Sequence, residues 1–455
     1  MAIQLSEHFT YKKLIKFTVP SIAMMIFSSI YGVVDGFFVS NFVGKTPFAA
    51  VNFIMPFLMI LGTLGFMFGT GGGAIVAKTM GEDDMEKANK YFSLFIYLTE
   101  FLGVIIAAFG ILFIRPIAEM LGAEGDMLND CVTYGRIILL ALPAFMLQME
   151  FQSFFTTAEK PALGLIVTVI SGVANMVLDA LFIAVFSMGL VGAALATAIS
   201  QLIGGFIPLV YFFSKNTSLL RLCKTRWYGK AVLKALTNGS SELMSNVSMS
   251  LVGMLYNIQL LTYSGEDGVA AYGVMMYVNM IFIAAFIGYS IGTAPVISYH
   301  FGAANKPELQ SILKKSVIII STVSVSMLAL AFLLAAPLSS LFVGYDRELY
   351  SLTLHGFKIF SFSFLFAGFA IFGSGFFTAL NDGVTSAIIS FLRTLVFQIL
   401  AVILLPLIFD VDGIWYSIIV AELMAVAVTV IFVFAKRKKY GYFGDFDNNN
   451  LQKYV

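Results

Sequence analysis

Apolar runs of about twenty residues or more recur along the chain, separated by short segments that hold most of its charges and turn residues. Roughly twenty apolar residues in helical form cross the hydrocarbon core of a bilayer, so each run predicts one membrane helix. Twelve are predicted, at residues 14–39, 48–76, 91–114, 134–157, 163–186, 190–213, 232–262, 270–298, 313–336, 353–379, 384–408 and 413–435. The second and eighth are long and rich in Gly and hydroxyl side chains, and are expected to tilt or bend. The run that follows Lys16 lacks a small-residue cleavage site and reads as a retained first span. The fold class predicted is therefore all-α integral membrane.

Composition agrees. Hydrophobic residues make up 59% of the 455 and charged residues only 12%, where about a quarter charged is normal for a soluble domain. A net charge of +1 offers no global attraction to nucleic acid, and no nucleic-acid partner is expected. Charge placement says more. Of 27 Lys and Arg, 22 fall in segments on the side of both termini, and five (Lys45, Arg115, Arg136, Arg347 and Lys358) fall on the other. Basic residues stay in cytoplasmic segments, so a multi-pass protein of the cytoplasmic (inner) membrane with both termini cytoplasmic is expected. Cys131 and Cys223 then lie on opposite sides, should not pair, and give no metal spacing.

Sliding the halves past each other by 221 residues places Gly44, Ala49, Ala50, Met55, Met59, Gly71 and Gly81 on Gly265, Ala270, Ala271, Met276, Met280, Gly292 and Gly302. The unit is six spans, repeated twice. Six is even, so both copies share one orientation and are related by an axis along the membrane normal. This predicts a first lobe at 1–213, a basic linker at 214–231, a second lobe at 232–436 and a tail at 437–455. The linker, with Trp227 and Tyr228 beside its charges, either lies on the membrane surface or is a solvated loop.

Polar residues inside the spans carry the candidate chemistry. Asn175 and Asp179, four residues apart, share one face of span 5, and an Asp in hydrocarbon costs about 2.5–3.5 kcal/mol on insertion scales. Asp35 on span 1 and Thr197 on span 6 lie at similar depth. Two carboxylates held close in a low dielectric cannot both ionise comfortably, so the set would bind a proton or share a cation such as Na⁺. The alternative is a buried hydrogen-bond network that only fixes helix packing. Glu100 in span 3 would extend a proton path or bond a neighbouring helix. Glu150 is expected to pair with a basic loop residue, and Glu242 and Glu422 with structural partners, though Glu242 near the inner mouth would also suit a cationic substrate. The offset of 221 turns Asp35 into Tyr256, which concentrates the carboxylates in the first repeat.

Met24, Met25, Met55, Met59, Met275, Met276 and Met280 lie on spans 1, 2 and 8, where adaptable thioethers suit a substrate cavity; packing or lipid contact is the plainer role. Pro20 removes a backbone hydrogen bond inside span 1 and is read as a helix bend, either a hinge or a fixed kink. Enzyme signatures are missing. His8, His300 and His355 are scattered, and Gly71-Gly72-Gly73 precedes no Lys-Ser/Thr, so no catalytic residues, resident cofactor or ATP-driven step is expected.

Gly71-Gly72-Gly73-Ala74 running to Gly81, the stretch from Pro295 to Asn305, and Met188 to Ala194 together resemble the MATE (multidrug and toxic compound extrusion) family over nearly the whole chain. Asp35, Asn175, Asp179, Thr197 and Pro20 match one by one the pattern of its prokaryotic branch named for a DNA-damage-inducible exporter, which includes staphylococcal multidrug exporters. The resemblance implies two six-helix lobes around a central cavity and antiport of organic cations against H⁺ or Na⁺ by rocking of the lobes, with Asp35, Asn175, Asp179 and Thr197 holding any Na⁺. Residues 353–379 lack the acidic residue that another branch uses for sodium. A monomer is expected, with small-molecule substrates and the bilayer as partners. The competitors are a lipid-linked oligosaccharide flippase, which needs a cavity rich in Arg and Lys, an intramembrane enzyme, and a passive channel.

Overall fold

The computed structural model describes residues 3–443, apart from the side chain of Lys45. Ten continuous helices among them are long and apolar enough to cross a membrane, and a bent pair makes an eleventh. They are α1 (Tyr11–Val43), α2 (Thr46–Gly81), α3 (Met85–Leu121), α4 (Gly125–Thr157), α5 (Pro161–Val185) and α6 (Gly189–Phe213), followed by Gly229–Gly302. That 74-residue stretch breaks at Gly265 (φ 63°, ψ −154°); unbroken it would be about 110 Å long. It holds two crossings, α7 (229–264) and α8 (266–302). There follow α9 (Lys306–Val343), α10 (Arg347–Ser361 and Phe364–Ala379, bent by 47°), α11 (Gly383–Leu404) and α12 (Pro406–Tyr440). Twelve crossings result, and the described residues contain no strand.

The helices outrun the apolar runs that predict them. α3 starts at Met85 and ends at Leu121, beyond 91–114 at both ends, because polar flanks stay helical after leaving the hydrocarbon. Loop side chains then cap them: Thr10, Asp84, Asn305 and Asp382 each accept from a backbone N–H three residues on, meeting donors that the helix leaves unpaired. Four short π-helical turns interrupt the helices, at Val39–Val43, Phe68–Gly72, Ala180–Val185 and Leu392–Val396. Pro20 sits inside the uninterrupted helical stretch Tyr11–Phe38. Residues 214–228 lie between helices and are tied to α3, with Arg221 N donating to Asn89 Oδ1 at 2.6 Å and Cys223 N to Ser93 Oγ at 2.9 Å. Both cysteines are free. Of the sequence-defined tail, residues 444–455, including Lys453, lie outside the described residues.

Three large apolar clusters show how the two sets of six helices meet. One, with Phe17, Met80, Phe92, Val232, Val296 and Leu380, draws on both sets, near the helix ends on the side of the termini; we call this the basic end. The second, around Ile54, Tyr134 and Leu190, uses only α1–α6, and the third, around Tyr256, Met275 and Trp415, only α7–α12. The halves therefore share a core at the basic end and have separate cores at the far end.

At the shared end the backbones touch. A Cβ on Gly81 would fall 2.0 Å from the Tyr299 carbonyl oxygen, and one on Gly302 would fall 2.0 Å from that of Lys78. The 221-residue offset exchanges these two contacts, since Lys78 maps to Tyr299 and Gly81 to Gly302. Gly71 against Gly239 and Gly292 against Thr18 form a second exchanged pair. The sequence repeat is thus a spatial two-fold relation. Residues before α1 lie across the seam: Leu5 N donates to Glu159 Oε1 at 2.6 Å and Phe9 N to Glu308 Oε1 at 2.9 Å. Leu5 and Phe9 are fully buried.

Candidate functional site

Two polar centres lie inside the bundle. The first is in the far part of α1–α6. Asp35 and Asp179 lie on packed helices, α1 and α5, with their carboxyl groups close enough to interact electrostatically, and Thr197 Oγ1 donates to Asp35 Oδ1 at 3.5 Å. Asp179 and Asn175 are buried, and neither Asp179 oxygen nor the Asn175 carbonyl oxygen has a hydrogen-bond donor among the described residues. Two facing carboxyl groups with oxygens unserved by the protein fit a shared proton or a small cation. Asp35 and Asp179 also flank π-turns, Val39–Val43 beyond the first and Ala180–Val185 directly after the second. Such turns widen a helix and recur at functional sites.

The structure thus gathers Asp35, Asn175, Asp179 and Thr197, read from sequence as one set. It adds Tyr134, buried on α4, whose hydroxyl donates to Met55 Sδ at 3.8 Å. Nothing in the sequence separates that tyrosine from other aromatics. No group of three or more His, Cys, Asp or Glu able to hold a metal occurs among the described residues; a Na⁺ would need Asn175 and Thr197 beside the two carboxylates.

Glu100 and Glu150 lie between α3 and α4. Glu150 is fully buried, and both its oxygens and Glu100 Oε2 lack a hydrogen-bond partner among the described residues. The expected pairing of Glu150 with a basic loop residue is not found: its face of α4 turns inward and no described ion pair includes it. Glu242 likewise has no ion pair there, whereas Glu422 does, with Arg393 at 2.8 Å.

The second centre is a cavity of about 380 Å³, lined by α2 and α4 but mainly by α7, α8, α10, α11 and α12. It contains Glu242, Met276, Arg393 and Glu422, with hydroxyl groups from Ser374, Ser390 and Thr394. Tyr256, the repeat counterpart of Asp35, donates to Gln398 Oε1 at 2.8 Å, joining α7 to α11 where α1 is joined to α5 in the first half. The remaining methionine expectations fail at this cavity. Met275 is fully buried in the far core of the second half, because neighbours on a helix point about 100° apart and only Met276 faces inward. Met55 turns to Tyr134, and neither it nor the exposed Met59 is among the cavity's lining residues.

A family model described as MatE matches residues 20–181 and again residues 243–404. The chain belongs to the MATE family. The two matches fall one in each half of the molecule, as the repeat requires. The chain is 27% identical over 435 residues to the multidrug export protein MepA of Staphylococcus haemolyticus (strain JCSC1435), covering 95% of each. It is 25% identical over 430 residues to that of Staphylococcus aureus (strain MSSA476), covering 94% of each. A solved structure described as the outward-facing conformation of a multidrug resistance MATE family transporter superposes with a TM-score of 0.91, at 22% identity, over 97% of this chain and 99% of that one. This MATE protein is a multi-pass membrane transporter and not an enzyme.

Proposed function

We propose that the protein is a multidrug exporter of the cytoplasmic membrane, exchanging outside H⁺ or Na⁺ for amphipathic organic cations. The pairing of Asp35, bonded by Thr197, with the buried Asp179, unpartnered among the described residues, on packed helices is the observation that carries this reading. Both carboxyl groups sit on helices of one half, at turns that can change pitch. A proton or cation there would favour one arrangement of α1, α5 and α6 over another, and coupling needs no more than that difference in affinity. Substrate cations would meet Glu242 in the cavity. Seam and cavity support an alternating-access cycle in which residues 1–213 and 232–436 rock as two lobes about the linker at 214–231, with both termini cytoplasmic. The shared core then closes the cytoplasmic side. A monomer suffices, since each chain holds both centres, and neither nucleic acid nor any cofactor beyond the coupling ion enters the cycle. A flippase for pyrophosphate-linked lipids fits less well, since Arg393 is the one basic residue among the described residues lining the cavity and Glu422 offsets part of its charge.

The experiment is uptake of ethidium into inverted vesicles with a pH gradient and a sodium gradient imposed separately. Uptake driven by one gradient, and lost in the Asp35→Asn/Asp179→Asn variant, supports the reading. Wild-type uptake in that variant overturns it.

A further inference from the structure

One charged side chain in the cavity has donors to spare. Arg393 gives its Nε–H to Glu422, at 2.8 Å to Oε2 and 3.1 Å to Oε1. Its terminal N–H groups have no hydrogen-bond acceptor among the described residues. The side chain is among those lining the cavity and is 15% exposed, which leaves its terminal nitrogens available to a molecule held there. The residue sits in the π-turn Leu392–Val396 of α11. Alongside runs a chain of hydroxyls, with Ser374 Oγ 2.8 Å from Ser390 Oγ and 2.9 Å from Ser386 Oγ.

A guanidinium in a partly dry cavity with free parallel N–H bonds is built to receive a carboxylate or a similar planar anion. Glu422 holds it in place and offsets part of its charge, which suits one anionic group and not a polyphosphate. Glu242, of opposite charge, lines the same cavity and lacks any ion pair among the described residues. The volume, about 380 Å³, is in the range of sites that hold drug-sized molecules.

We propose that Arg393 is a specificity-determining residue of the cavity, receiving the anionic group of those substrates that carry one. The proposal rests on the export reading and adds to it the residue that meets that group.

The test uses purified full-length protein and two dyes with one fluorophore: rhodamine 123, a cationic methyl ester, and rhodamine 110, its free acid. Affinities are read by fluorescence anisotropy. Arg393→Gln is paired with Arg393→Gln/Glu422→Gln, which avoids leaving Glu422 without its partner. Loss of charge-assisted bonds predicts that both variants bind rhodamine 110 about tenfold or more weakly, with rhodamine 123 changed by less than about threefold, and that Arg393→Lys falls between. Equal changes for both dyes, or no binding of rhodamine 110 by the wild type, would overturn the proposal. The export reading is judged separately, by gradient-driven efflux of rhodamine 123; its failure with the binding ratio intact would leave Arg393 an anion receptor in a protein that does not export.

Discussion

Gly81→Ala probes the seam between the halves. Its Cβ would lie 2.0 Å from the Tyr299 carbonyl oxygen, where real Cβ contacts stay above 3.0 Å, and the atom in the way is backbone. The basic ends must therefore separate by about 1 Å or the helices distort. Overpacking of this kind costs about 1–3 kcal/mol, which shifts an equilibrium roughly five- to 150-fold. The gain in helix propensity from Gly to Ala is present in both states and cancels between them. Each half keeps its own far-end core, so the variant should fold and populate arrangements parted at the basic end. Gly302→Ala, against the Lys78 carbonyl at 2.0 Å, should do the same. The double variant should add little, since one separation relieves both clashes. Spin labels at the exposed Glu86 and Lys306, with Cys131 and Cys223 replaced by Ala, report the distance between halves by pulsed electron resonance. A longer-distance population in either single variant, barely increased in the double, is expected. An unchanged distribution in folded Gly81→Ala, or additive effects in the double, would refute the reasoning.

Asp35→Asn/Asp179→Asn should abolish gradient-driven efflux while expression and melting stay near wild type, as vesicle assays and thermal scans would show. Glu242→Gln should weaken binding of a monocationic dye by about tenfold, the size of one lost charge-assisted contact, while leaving the seam distance untouched in the same spin-label measurement. At the mouth of α11, burial alone would raise the Asp382 carboxyl. Hydrogen bonds from Tyr440 Oη at 2.8 Å and Thr385 N at 3.4 Å, with Lys436 Nζ at 3.4 Å, instead hold it below its ordinary value of 3.8. A carboxyl depressed by folding stabilises the fold above its unfolded pKa, and that contribution is lost as pH falls through the folded value. Asp382→Asn should thus lower the melting midpoint at pH 7, with the difference vanishing well below about pH 4; a constant difference across that range would contradict the ion-pair account.

Much of the architecture was legible because a bilayer imposes a long, simple code: the runs at 134–157 and 163–186 place the junction between α4 and α5 within a few residues. Asp35, Asn175, Asp179 and Thr197 stood out for the same reason, since a polar group in hydrocarbon is conspicuous. The cavity was harder to read. Its wall is set by which face each helix turns inward, and for Met275 and Met276 that choice depends on the tilt of α8 after the break at Gly265, which packing and not local sequence sets. Arg393 was visible as a basic residue inside a span, but its open fork depends on the π-turn at Leu392–Val396, and backbone pitch follows from packing. Glu150 misled because its place near the end of a span suggested a loop partner, while the rotation of α4 buries it.

The segment before α1 has a consequence for how the halves part. Leu5 is tied to Glu159 beside α4, and Phe9 to Glu308 at the start of α9, so this clasp has one tooth in each half. When the basic ends move apart, at least one tie lets go and buried apolar surface is released, at about 1.5–3 kcal/mol per large side chain. The switching equilibrium therefore carries a contribution from residues that never enter the membrane, and trimming residues 3–9 would change the resting conformation while leaving every helix, both polar centres and the cavity intact.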